Sequence, residues 1–178
     1  STEVKLQSAI FEWVAKADGN RTLTGASGRK WQSSFEKVLM GIRKPAWDDV
    51  YEEISSQLKE LAISESATGA AIIESSVPVV IGMSLPPTSQ LIGIVNSQPF
   101  QGKTLKQWMQ NNNQADVQRM LSYAKSGIIQ GQTPTELARG IIGTKAAKYT
   151  DGVARKAFQD TESVILTLTN GVQNEAKQ

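Results

Sequence analysis

The chain contains neither cysteine nor histidine. The first absence excludes a disulfide framework, and the two together exclude thiolate and imidazole metal sites. Without histidine the usual general base at neutral pH is missing, so any proton transfer would fall to Asp, Glu, Lys or Tyr. A cysteine-free chain suits the cytosol, or a particle assembled there. Charge of one sign is also scarce: the net value is +2, which argues against a protein whose main task is to coat nucleic acid. Long apolar runs are missing too. The longest, Val77 to Leu85, is broken by Pro78 and Gly82 and falls far short of the ~20 residues of a spanning helix, so no membrane span is expected. The start, Ser1-Thr2-Glu3-Val4-Lys5, lacks the basic and apolar segments of a secretory signal.

What is present is a globular composition, 39% hydrophobic and 20% charged, over 178 residues. That length suffices for one domain with a real core. Apolar residues recur at threes and fours through most of the chain. A first helix is expected over 3–17, with Val4, Leu6, Ile10, Phe11 and Val14 on one face. Asp18-Gly19-Asn20 would end it, and Gly25-Ala26-Ser27-Gly28 would form the centre of a loop. A second helix over 31–43 carries Trp31, Phe35, Val38, Leu39 and Ile42, and Pro45 is expected to stop it. A long third helix follows over 46–75, with Trp47, Val50, Tyr51, Ile54, Leu58, Leu61 and Ile63 as its stripe. Asp48, Asp49, Glu52 and Glu53 would lie in its first turn, where the helix dipole already accounts for them without any catalytic role.

Composition then shifts. Residues 77–87, Val-Pro-Val-Val-Ile-Gly-Met-Ser-Leu-Pro-Pro, read as a Pro-rich extended connector. Its Val79, Val80, Ile81, Met83 and Leu85 would form a partner contact if exposed, or fold back over the chain's own core. Helical signals resume at 88–96, and Gly102-Lys103-Thr104-Leu105 opens a short helix containing Trp108. Asn112 or Asn113 would cap a longer helix ending at Gly131, with Val117, Met120, Leu121, Ala124 and Ile128 inward. Thr133-Pro134-Thr135-Glu136 is the clearest local signal: a capping box with proline in the first helical position. That helix carries Leu137, Ile141 and Ile142 and closes at Gly143; a last one runs from Thr150 to the end of the chain. The fold class is therefore all-α, a helical bundle of about seven helices with the connector at 77–87.

One charged cluster stands out. Arg139, Lys145, Lys148, Arg155 and Lys156 face only Asp151 across 139–156. Residues 99–178 carry ten basic and six acidic residues, residues 1–98 nine and eleven, so the halves differ in sign. The cluster is a candidate nucleic-acid contact, with Tyr149 available to stack. The plain alternative is a solvated surface. Gly102-Lys103-Thr104 echoes only the end of a phosphate loop, with no strand or Gly-rich segment before it. Trp13, Trp31, Trp47 and Trp108 read as core or interface anchors. No catalytic set and no cofactor site is expected.

The order Pro99, Gly102, Leu105, Trp108, Arg119, Gly127, Gly131, Thr133, a short helix closing at Gly143, then Asp151-Gly152 and a long helix with Thr161-Glu162 resembles the MuF-like phage head morphogenesis family. The likeness extends over 45–178 in general shape and is best over 97–175. It divides the chain into an N-terminal helical segment, 1–44, and a MuF-like helical region, 45–178, expected to belong to a longer chain. Where the family often has Arg before Thr-Glu, this chain has Asp160. The resemblance implies a minor virion protein of a tailed phage, not an enzyme. Its implied partners are the portal or major capsid protein, with packaged DNA and further copies of itself as others. Its implied place is the phage head, reached from the host cytoplasm. The alternatives are a scaffold for a larger virion-delivered enzyme or effector, and a DNA-binding module.

Overall fold

The computed structural model describes residues 2–17, 23–76, 87–97 and 102–155. Among these the backbone is mostly helical and contains no strand. Five helices have defined bounds: α1 Thr2–Ala15, α2 Gly25–Ser76, α3 Thr88–Ser97, α4 Leu105–Ile129 and α5 Pro134–Ile142. Helical backbone begins again at 153–155. The chain is all-α, as its periodicity predicts. No helix among the described residues is long and apolar enough to cross a membrane.

Two expected boundaries are absent. Pro45 does not stop a helix; it lies inside the 52-residue α2. Proline there removes one backbone hydrogen bond and costs about 3 kcal/mol in a helix interior. Arg43 and Trp47, on either side of it, are both buried and cross-linked to α4, and that anchoring outweighs the penalty. The fusion also moves Asp48, Asp49, Glu52 and Glu53 into mid-helix, where they form an exposed face rather than a first turn. Likewise Asn112 and Asn113 cap nothing, because α4 runs unbroken from Leu105. Its cap is Thr104, whose hydroxyl accepts from the Gln107 amide while its own N–H donates to Gln107 Oε1 at 2.8 Å. The Gly25–Gly28 stretch, expected as a loop, is the first turn of α2. Among the described residues, helices therefore number fewer than the seven expected, since two pairs are continuous.

The chain divides into two compact units. The first comprises the described residues of Ser1–Trp47 and Gln110–Thr161, and the described residues of the second lie within Asp48–Met109. The core of the first unit combines Leu6, Ala9 and Ile10 of α1 with Trp31, Phe35 and Leu39 of α2. To these it adds Val117, Met120, Leu121 and Ala124 of α4, then Leu137, Ala138, Ile141 and Ile142 of α5, and Ala154. Each fully buried large side chain contributes about 1.5–3 kcal/mol relative to exposure. Phe35 lies between two tryptophans, stacked on Trp13 at 5.8 Å and tilted against Trp31 at 5.3 Å. Trp31 donates its indole N–H to the Trp13 carbonyl at 2.9 Å, which ties α2 to the end of α1. Val4 and Phe11, expected on the inward face of α1, are exposed instead, because the buried stripe is the narrower Leu6-Ala9-Ile10 set.

In the second unit Ile54, Leu58 and Ala62 form a buried i, i+4 stripe on α2, and Leu105 and Met109 are buried at the start of α4. Lys103 places its ammonium over the Trp108 ring, 5.1 Å from the centroid. Ile63, assigned to the apolar stripe by spacing, is exposed.

Candidate functional site

The basic stretch is organised by the turn between α5 and residue 153. α5 starts on the expected capping box: Glu136 N–H donates to Thr133 Oγ1, and Thr133 N–H donates to Glu136 Oε2 at 2.7 Å. Those hydrogen bonds hold the Glu136 carboxyl below the ordinary carboxylate range, the backbone bond most of all. The helix ends at Gly143, whose φ of 99° is open to glycine and to few other residues. Gly152 then packs directly on the Ile142–Gly143 peptide; a methyl group there would overlap the Ile142 carbonyl carbon.

Asp151 closes the turn. Its carboxylate accepts from Thr144 N–H at 2.7 Å and from the Thr144 hydroxyl at 2.9 Å. The backbone bond from Thr144, then the hydroxyl bond, keep its carboxyl below the ordinary range. Inside this clasp Lys148 and Tyr149 take left-handed φ values of 50° and 60° in succession. Such conformations cost about 1–3 kcal/mol each for residues with a side chain and persist only where the surroundings fix them. Here Lys148, Tyr149 and Thr150 donate their N–H groups to Lys145 O, Thr144 O and Ala147 O, all within 3.1 Å. The turn thereby satisfies its own backbone and displays its side chains outward.

Two surface hollows flank this turn within the first unit, and Tyr149 and Ile142 line both. One, of about 430 Å³, is bordered by Arg139 and Lys145 with Gln7, Thr135 and Thr144. The other, of about 220 Å³, holds Lys148, Arg155 and Arg43 beside Glu3. The structure thus places four members of the predicted basic cluster around one turn and divides them two and two. Lys156 lies outside the described residues, as do Val79, Val80, Ile81, Met83 and Leu85 of the connector. No group of three carboxylates among the described residues is placed to hold a metal ion.

One polar centre escapes the sequence reading. Arg43 Nε donates to Asp116 Oδ2 at 2.6 Å, Arg43 also donates to the Ala154 carbonyl at 2.9 Å, and the Trp47 indole N–H reaches the same Asp116 oxygen at 3.3 Å. The Arg43 and Asp116 side chains are 6% and 0% exposed, so this is a fully internal ion pair. Burial pushes the Asp116 carboxyl up against the pull of Arg43. A signal for it existed: Phe35, Leu39, Arg43 and Trp47 follow one i, i+4 line, so a charge sits on the buried stripe. The centre ties α2, α4 and the segment after the basic turn together, which makes it a support for that turn.

No protein-family model, no curated protein and no solved structure matches this chain.

Proposed function

We propose that this protein is a minor structural component of a tailed-phage head, acting in head morphogenesis and in DNA packaging or ejection. It works by adhesion to the portal or the capsid shell rather than by turnover. One observation supports the reading above others: several residues that carry the MuF-like resemblance sit where the fold tolerates few alternatives. A side chain at Gly127 would overlap Leu137 and Gln132; Gly131 has a φ of 74°; Thr133 caps α5; Gly143 and Gly152 close on each other; Asp151 clasps Thr144. Such positions define a scaffold, and a scaffold signature is what related minor head proteins would share while their exposed surfaces diverge. The apolar residues Val79, Val80, Ile81, Met83 and Leu85 are the proposed contact with a neighbouring subunit.

The test is quantitative peptide mass spectrometry on purified particles of the phage that encodes this chain. Peptides at low copy relative to the major capsid protein are the expected result. Absence from particles, together with no retention on immobilised portal or capsid protein, would overturn the proposal.

A further inference from the structure

We propose that the hollow bordered by Arg139 and Lys145 is a binding site for a phosphate group. The inference rests on this hollow alone and stands whether or not the chain is a virion protein. Its border carries two cations, the hydroxyl-bearing residues Thr135 and Tyr149, and the Gln7 amide, and no carboxylate; Thr144 also lines it, with its N–H and hydroxyl both given to Asp151. That set supplies a planar guanidinium fork, a point charge and neutral polar groups around a space of about 430 Å³, the chemistry that matches a tetrahedral oxyanion with several acceptor oxygens.

The two acidic residues beside it are held by local hydrogen bonds, and the charge of Arg139 acts on Glu136 only as the weakest of the causes that lower its carboxyl. Glu136 folds back onto Thr133, and Asp151 grips both the N–H and the hydroxyl of Thr144. Arg139 and Lys145 are exposed and form no ion pair among the described residues. The second hollow differs in kind. Glu3 borders it, and the Arg43 guanidinium there is engaged with Asp116 and the Ala154 carbonyl. Phosphate recognition therefore belongs to the Arg139–Lys145 side of Tyr149, although Lys148 and Arg155 read as part of the same cluster in the sequence.

The turn is set before a ligand arrives. Three successive N–H groups, of residues 148, 149 and 150, are satisfied within it, so the anion is met by side chains rather than by a backbone nest. The Lys148–Tyr149 backbone is left-handed, and the Tyr149 ring lines both hollows. A phosphate seated beside Arg139 would lie next to that ring, where a nucleobase on the same ligand could stack.

The experiment uses the full chain and a fluorescent short oligothymidylate, followed by anisotropy across a salt series. Inorganic phosphate and poly-glutamate serve as competitors. Arg139→Gln with Lys145→Gln is expected to weaken oligonucleotide binding about tenfold or more and to reduce the slope of log affinity against log salt by about 1.4, two contacts at ~0.7 each. Lys148→Gln with Arg155→Gln, equally exposed positions, should change affinity by less than about threefold. Displacement by millimolar inorganic phosphate would assign the site to small phosphates, and resistance to it would assign the site to the phosphodiester strand; both keep the proposal. Failure of the oligothymidylate to bind, equal losses in the two double variants, or equal competition by poly-glutamate would each overturn it.

Discussion

Arg43 shows how one residue can set the character of its surroundings. Its side chain is buried on a stripe otherwise made of Phe35, Leu39 and Trp47, and it satisfies both Asp116 and a main-chain carbonyl near the basic turn. Removing one member of a buried pair strands the other in a medium that solvates charge poorly. Arg43→Met is therefore expected to destabilise the first unit by roughly 3–5 kcal/mol, read as a shift in the urea midpoint. A change below about 1 kcal/mol would mean that the Asp116 carboxyl finds compensation elsewhere. This residue also marks a limit of sequence reading. Arg43 falls on the i, i+4 line of Phe35, Leu39 and Trp47, but nothing local identifies Asp116, distant in the chain, as its counter-charge.

At the scale of elements, legibility follows the range of the forces involved. The α5 capping box is complete within Thr133–Glu136, and it appears in the structure as read. Gly131 and Gly143 mark helix ends for equally local reasons, a positive φ in each case. Pro45 and Asn113 misled because their preferences are local while their outcomes are tertiary: α2 and α4 continue through them, held by burial on both sides. The hollow at Arg139 was illegible for the same reason, since it joins Gln7 of α1 to the turn after α5. The basic turn itself makes a pH prediction. The Glu136 and Asp151 carboxyls are held below their unfolded values, so their contribution is present at neutral pH and lost as pH falls through those lowered values. Asp116 has the opposite sign. Its raised value makes its contribution largest in acid, and that contribution fades as pH rises through the folded-state value. Asp151→Asn is expected to flatten the acid limb of a midpoint-versus-pH curve while leaving the Asp116 limb in place. An unchanged acid limb would show that the Thr144 clasp is not what titrates.

For the molecule as a whole, the first unit is assembled from pieces far apart in the chain. Leu6, Ile10, Phe35 and Leu39 come from its beginning, and Val117, Met120, Leu137 and Ile141 from beyond residue 110. A fragment ending at Trp47 keeps the first set and lacks the surface that covers it. Such a fragment is expected to melt without a cooperative transition and to bind a hydrophobic dye, whereas the full chain melts sharply. A sharp transition in the fragment would mean that α1 and the start of α2 form a core alone. The same arrangement has a consequence during synthesis. Residues 1–47 emerge from the ribosome carrying half of a core, and residues 48–109 must be translated before the other half begins to appear. At ~5–20 residues per second that delay is on the order of several seconds. The nascent chain passes through that interval with Trp31, Phe35 and Leu39 uncovered, which makes its beginning a natural client for a chaperone.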